Sequence, residues 1–438
     1  MRNKRSRTIF MGLLAVIVIL ATGCQIGGSA NSGEKTAGGK ETGTGSDAPI
    51  KMIVAQGGFS RSVEEAVAEF TRQTGIQVEL LIYPYQESRE KQILELRAGG
   101  SVDVVQIDGP IWLAELRDYL EPLVTYINKD SLDTGIYVPA MLEMFKNDGE
   151  IYALPYRVGG WVLIYRKDLF EAKGLTPPAT FDEFVDTAVK LTDGDVFGFA
   201  GALKQGNFLV VQWIPFLYSR GGNILNEDMT AAAFNSPEGI ESAQLLVDLY
   251  RKYKVMPGAA LEYEQDSIIS SMQQGIAAMS ITYSPYFLEM NNPEKSAHAG
   301  NFAIAATLPY AENSGLSQGI TEIAGWGFGI NKDSKNKENA WKLIKFMTSV
   351  DEQLRLAVQF ANSPTVQAVY EDERYLEVYP EAPAVLTSLL GAKTRPGTPQ
   401  WANIEDILAR ELSAAVTGVK SVEQALSDAE KATNDLLK

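Results

Sequence analysis

The stretch from Ile151 to Phe170, IYALPYRVGGWVLIYRKDLF, constrains the fold of this chain more than any other. A Pro-Tyr-Arg bend leads to the pair Gly159-Gly160, which tolerates backbone angles closed to other residues, and then to an apolar, β-favouring run from Trp161 to Tyr165. The stretch reads as a crossing strand. Segments of alternating strand and helix character lie on both sides of it, so a chain folded as two lobes passes between them here. With 438 residues, the chain has the length for two α/β lobes. The glycine pair admits two readings, a hinge between the lobes or a tight bend that lets Trp161 enter the next strand.

Before the crossing, residues 50–55 read as a strand, followed by the loop Gln56-Gly57-Gly58-Phe59. Ser62 with Glu65 reads as a capping box opening a helix whose Val63, Ala66, Val67 and Phe70 share one face, with Thr74-Gly75 as its stop. A strand over 76–82, a helix reaching Ala98, the Gly99-Gly100 break and a strand over 102–107 complete a βαβαβ unit that runs into Asp108-Gly109-Pro110. That order predicts a mostly parallel sheet with ligand-bearing loops at the carboxyl ends of its strands. After the crossing, the pattern predicts helices over 181–191 and 207–218 and another opened by Ser236-Pro237-Glu238. It also predicts strands over 197–200, 277–282 and 302–306, a helix over 336–348, and a helical C-terminal third whose last helix starts at the Ser421 capping box.

The N-terminus carries an address. Arg2, Lys4, Arg5 and Arg7 precede an apolar run over 9–21 that is too short to span a bilayer and suits the core of a secretory leader. The run ends in Leu20-Ala21-Thr22-Gly23-Cys24, which resembles the lipobox of bacterial lipoproteins, with Ala21 where leucine is usual. Cys24 is the only cysteine; elsewhere a lone cysteine reads as a small buried hydrophobe, but its place after the leader points to lipidation. No intramolecular disulfide can form. Residues 24–49 have almost nothing to bury and read as a disordered tether with a reach of roughly 27 Å, which suits a partner in the membrane. Cleaving residues 1–23 removes four cations and no acid, so the formal balance of −16 becomes more negative. Such a surface disfavours nucleic acid and polybasic membrane docking.

Enzyme chemistry lacks its usual parts. The single histidine, His298, sits in a polar Ser-Ala-His-Ala-Gly-Asn loop, so histidine-based triads and the common His/Cys metal sites cannot be assembled. Asp103 and Asp108 would serve a polysaccharide-cleaving enzyme with two carboxylates, but in a chain with 55 acids that pairing is a weak signal. The Gly325-Trp326-Gly327-Phe328-Gly329 run is not a dinucleotide fingerprint, because its aromatic residues would obstruct a pyrophosphate. No catalytic residue, metal or cofactor is expected. What remains is a set of aromatics at strand ends and loops: Trp112, Trp161, Tyr283 and Trp326. Sugars offer flat C–H faces edged with hydroxyls, so aromatic platforms beside Asp, Glu, Asn, Gln and Arg suit carbohydrate recognition, whereas each aromatic taken singly reads equally well as core.

Several blocks carry a family resemblance: VDVVQIDGPIWLAEL from Val102, IYALPYRVGGWVLIYRKDLFEAKGL from Ile151, FNSPEGIESAQLLVDLY from Phe234, GWGFGINKDSKNKENAWKLIKFM from Gly325, and TRPGTPQW with VTGVKSVEQALSDA near the C-terminus. Together they make the chain look like an extracellular solute-binding protein of bacterial ABC importers, in the sugar- and oligosaccharide-binding group related to maltose-binding proteins. The resemblance implies a type II periplasmic-binding-protein-like α/β fold of two lobes, 50–157 with 326–363 and 158–325 with 364–438. Crossings are implied near 156–161, 323–327 and 363–367. It further implies a monomer, anchored outside the cell membrane through Cys24, that takes a carbohydrate into its cleft and delivers it to membrane-embedded permease subunits.

Matching positions place Asp108 and Trp112 of the first lobe, Trp213 and Tyr283 of the second, Tyr156 and Trp326 of the connections, and Arg395 of the TRP block at the ligand. Gln56 and Phe59 are further neighbours, and Trp161 lies on the crossing itself. The chain departs from many relatives at Gly159, where they carry an acid, and after Pro364-Thr365, where they carry an arginine; Arg157 or Gln367 would compensate. A secreted polysaccharide-degrading enzyme and a binding protein for a non-sugar solute are the competing readings.

Overall fold

Among the described residues ten strands can be followed: β1 (Ile50–Ala55), β2 (Val78–Tyr83), β3 (Val104–Gly109), the short hairpin β4 (Lys146–Asn147) and β5 (Glu150–Ile151), then β6 (Leu154–Arg166), β7 (Met279–Tyr283), β8 (Phe302–Ile304), β9 (Glu322–Ile330) and β10 (Lys393–Thr394). The computed structural model describes residues 48–57 and 60–438, so the leader, most of the tether, Cys24 and Phe59 lie outside the described residues. Apart from the hairpin, the strands form one sheet in the order β2-β1-β3-β9-β6-β7, with β10 joined to β9 and β8 to β6. None of the helices among the described residues is long and apolar enough to cross a membrane.

The sheet is mixed rather than mostly parallel. β1 runs parallel to β2 and β3, and β10 to β9, whereas β9 is antiparallel to β3 and β6, and β6 to β7 and β8. The βαβαβ unit accounts for the parallel edge; β9 enters the sheet from the opposite end and so pairs in the opposite sense.

β6 is the crossing. Its 13 residues pair with β9 through Gly160 and with β7 from Trp161, so one strand belongs to both ends of the sheet and changes partner in mid-course. Neighbouring side chains of its apolar run enter different cores. Val162 and Ile164 join the cluster that includes β1 and β3, while Trp161 and Leu163 join a second cluster with the helices Asn207–Tyr218, Pro237–Arg251 and Trp401–Thr417. Burial on both faces explains why the run is apolar without alternation.

Gly159 and Gly160 are extended, and neither has a positive φ. Close approach, not unusual backbone angles, requires them: a Cβ on Gly159 would lie 3.1 Å from Cδ1 of Tyr283, and one on Gly160 would lie 2.8 Å from Cδ2 of Leu389. The glycines of β9 work in the same way. A Cβ on Gly325 would come within 2.7 Å of the Arg157 carbonyl oxygen, one on Gly327 within 2.7 Å of the Phe145 ring, and one on Gly329 within 2.8 Å of the Tyr152 carbonyl oxygen. Their shared face lets β9 lie flush on its neighbours, and the alternate face carries Trp326.

Most helices fall where the pattern predicts, with instructive exceptions. The first runs from Ser60 to Thr74, so Ser62 lies inside it rather than capping it. The Ser62 hydroxyl lies 3.0 Å from that of Tyr156 and bonds Asn362. Gly75, at φ 75°, ends the helix as expected. Thr180 and Glu183 form a reciprocal capping box on Phe181–Leu191, and Ser236 accepts a hydrogen bond from the Gly239 amide at 3.3 Å. Residues 197–200 make only isolated bridges, Phe197 to Ala277 and Ala200 to Ser280, in place of a strand.

Candidate functional site

Three neighbouring strands build one row. Asp108 of β3 stands opposite Trp326 of β9, and Trp326 stands opposite Arg157 of β6. Partners across antiparallel strands share a face, so an acid, an indole and a guanidinium lie side by side. A register shift between Pro155 and Arg157 sets this arrangement: the bulge sends Tyr156 into the core and leaves Arg157 in the row. The row forms the floor of a cavity of about 420 Å³, walled by Gly159, Tyr283, Tyr286 and Arg395.

A second cavity of about 370 Å³ shares Asp108, Tyr283 and Arg395 with the first and adds Tyr85, Trp112, Asn207, Trp401 and Glu405. Tyr85 opens the helix that follows β2, and Trp112 lies on the short helix that follows β3, both at carboxyl ends of parallel strands. The Tyr85 ring is 5.0 Å from Trp112 and 5.9 Å, edge-on, from Trp326; Trp112 and Trp326 meet edge-on at 5.4 Å. The Tyr85 hydroxyl donates to Asp108 Oδ2 at 2.7 Å.

The charges are few and buried. Arg395 Nε lies 2.9 Å from Glu322 Oε1, and the Tyr283 hydroxyl donates to Glu322 Oε2 at 3.2 Å. Burial opposes the Arg395 charge, but Glu322, Tyr283 and Asp108 outweigh it and hold the guanidinium above its ordinary pKa. Burial pushes the carboxyls of Asp108, Glu322 and Glu405 up, against the pull of the same arginine. Burial also lowers the pKa of Arg157, an effect that Tyr286 and Tyr156 oppose. Glu405 Oε1 accepts from Asn207 Nδ2 at 2.6 Å and from Trp401 Nε1 at 3.2 Å.

The structure thus brings Asp108, Trp112, Arg157, Tyr283, Trp326 and Arg395 together. Among the described residues, it places the other expected ones elsewhere. Tyr156 is fully buried, 4.8 Å from the Phe328 ring. Trp161 stands behind the wall, its ring 4.8 Å from Tyr283, and Trp213 is core, edge-on to Phe234. Gln56 is exposed at the end of β1, where its amide donates to the Tyr83 carbonyl at 2.6 Å, and its neighbour Gly57 reaches the first cavity. Gln367 donates to the carbonyls of Tyr137 and Gly135, and Asp103 is bound by the Lys51 amide and Ser334, so Asp103 and Asp108 do not share a site. Tyr85, Tyr286, Glu322 and Glu405 escaped sequence reasoning. Tyr85 had a signal, its place in Tyr-Pro-Tyr after a parallel strand; Glu405, one acid among several on an amphipathic helix, had none.

The family model for bacterial extracellular solute-binding protein matches residues 56–354, from the end of β1 to beyond β9. The chain belongs to this family. As a solute-binding protein it is 26% identical over 390 residues to a probable amino-acid ABC transporter periplasmic-binding protein of Sinorhizobium fredii, covering 86% of this chain and 87% of that one. It is 24% identical over 387 residues to the galactooligosaccharide-binding protein of Bacillus subtilis, covering 86% and 87%. Among solved structures, the maltose-bound MalE3 of T. maritima superposes with a TM-score of 0.77 at 30% identity, covering 89% of this chain and 99% of that one. The α/β fold is therefore that of the MalE-like, type II periplasmic-binding proteins.

Proposed function

We propose that this solute-binding protein captures a carbohydrate in the paired cavities by closing two lobes on it, and hands it to the permease of an ABC importer without chemical change. The observation that carries this reading is the row Asp108–Trp326–Arg157 facing Tyr283 and Arg395, which sets acceptors and donors around aromatic faces. A pyranose needs that combination: a ring to cover its C–H face, and fixed polar groups for its hydroxyls. The maltose held by MalE3 and the name of the Bacillus subtilis relative support the same class. The lobes are 50–157 with 326–363 and 158–325 with 364–438, meeting within β6, three residues before it changes partner.

Cys24 anchors the protein outside the cell membrane, and the segment after it is the tether. Replacing Cys24 with Ser is expected to release the protein from the membrane fraction into the medium or periplasm; continued membrane retention would overturn the anchor.

Tryptophan fluorescence, titrated with mono-, di- and trisaccharides of differing linkage and with amino acids, tests the carbohydrate reading. Trp326 and Trp112 stand at the cavities, so saturation by at least one saccharide should change the emission. Saturation by an amino acid and by no saccharide would overturn the reading.

A further inference from the structure

Resting on the carbohydrate reading above, the cavity that holds Glu405 has a charge imbalance that narrows its ligand. It is bounded by Asp108, Glu115 and Glu405 and by Arg89 and Arg395. Both arginines already have partners: Arg89 pairs with Glu115 of the same cavity at 2.6 Å, and Arg395 pairs with the fully buried Glu322 at 2.9 Å. Asp108 and Glu405 make no ion pair among the described residues.

Each of these carboxylates is half committed and held in place. Asp108 is nine-tenths buried, and its Oδ2 accepts from Tyr85 while Oδ1 has no hydrogen-bond donor among the described residues. Glu405 takes both its donors, Asn207 and Trp401, on Oε1, which leaves Oε2 without one among the described residues. The cavity therefore holds two fixed, partly desolvated acceptor oxygens whose only nearby charge compensation among the described residues is the pull of Arg395, which they share with its ion-pair partner Glu322. Rings of Tyr85, Trp112 and Trp401 border the same space, and aromatic faces attract cations.

We propose that this cavity binds the part of a saccharide that carries a protonated amino group, so that the protein prefers basic amino sugars to their neutral counterparts and rejects uronic acids. A protonated amine supplies several donors and a positive charge to the two open oxygens. A hydroxyl supplies one donor and leaves the negative potential uncompensated, and a carboxylate adds to it. The adjoining cavity, with Arg157 and Trp326, takes the next sugar unit.

Matched pairs of short oligosaccharides test the proposal by calorimetric titration: β-1,4-linked glucosamine oligomers against cello-oligosaccharides, and α-1,4-linked galactosamine oligomers against neutral α-1,4-linked galactose oligomers, each with its uronate analogue. The basic member of at least one pair should bind about tenfold or more tighter than its neutral partner, and the uronate should not bind. In Glu405→Gln and in Asp108→Asn that ratio should fall towards one, with a thermal melt showing that each variant is folded. Equal or weaker binding of the basic member in every pair, or a ratio that survives in both folded variants, overturns this inference and leaves the carbohydrate reading standing. If no saccharide of any charge saturates the protein, both fall.

Discussion

Asp108, a proposed binding residue, works against the stability of the empty protein. Burial raises the pKa of its carboxyl, so ionising it costs free energy in the folded state that is absent from the unfolded chain. An acid with a raised pKa adds stability only while protonated, and loses it as pH rises through its folded pKa. Asp108→Asn should therefore raise the melting temperature of the ligand-free protein at pH 7, and the gain should fade as pH falls towards the ordinary aspartate value of 3.8, while ligand affinity drops at neutral pH. Melts at pH 7 and pH 4 check the sign. Gly159 makes the opposite test, since it is valued for space. An alanine there brings Cβ to 3.1 Å from the Tyr283 ring, which can yield by a few tenths of an ångström. Gly159→Ala should weaken ligand binding several-fold and change stability by less than about 1 kcal/mol, as read by calorimetric titration and urea unfolding. At this scale, Asp108, Arg157, Trp326 and Arg395 were legible because they stand in recognisable blocks. Tyr156 was not, because a one-residue bulge decides which of two neighbours faces the cavity.

Elements were legible where pattern and capping agree. The helix Phe181–Leu191 forms where the pattern predicts it, closed by a Thr180–Glu183 capping box that only the structure shows, and Gly75 stops the first helix as expected. The failures have a common cause. Ser62 with Glu65 has the spacing of a cap, yet the helix gains a turn before it because the Ser62 hydroxyl is held by Tyr156 and Asn362, residues far away in the chain. Residues 197–200 have strand character but find only two isolated bridges to pair with. In β9 the alternating glycines are an element-scale device: they bring the strand flush against β6 and Phe145 so that Trp326 projects from the other face. Gly327→Ala would put Cβ 2.7 Å from the Phe145 ring and 2.9 Å from the Leu154 carbonyl oxygen. The backbone oxygen cannot move aside cheaply, so the variant should lose about 1–3 kcal/mol in urea unfolding.

For the whole molecule, β6 and β9 are antiparallel neighbours within the sheet, the first cavity lies over them, and the second adjoins it through Asp108, Tyr283 and Arg395. A ligand that touches Asp108 on one side and Tyr283 and Arg395 on the other favours a closed arrangement by its differential affinity for it. Small-angle scattering with a saturating saccharide should show a smaller radius of gyration than the free protein, and an unchanged radius would refute closure.

Local chemistry was enough to determine much of the fold: the strand–helix alternation and the apolar crossing stretch are readable from neighbours in the chain. The sense of the central strands, the true use of Gly159-Gly160, and the meeting of Tyr85 with Asp108 and of Glu322 with Arg395 were decided only in three dimensions. Each joins residues that are separated in the chain, and close packing, not propensity, selects them.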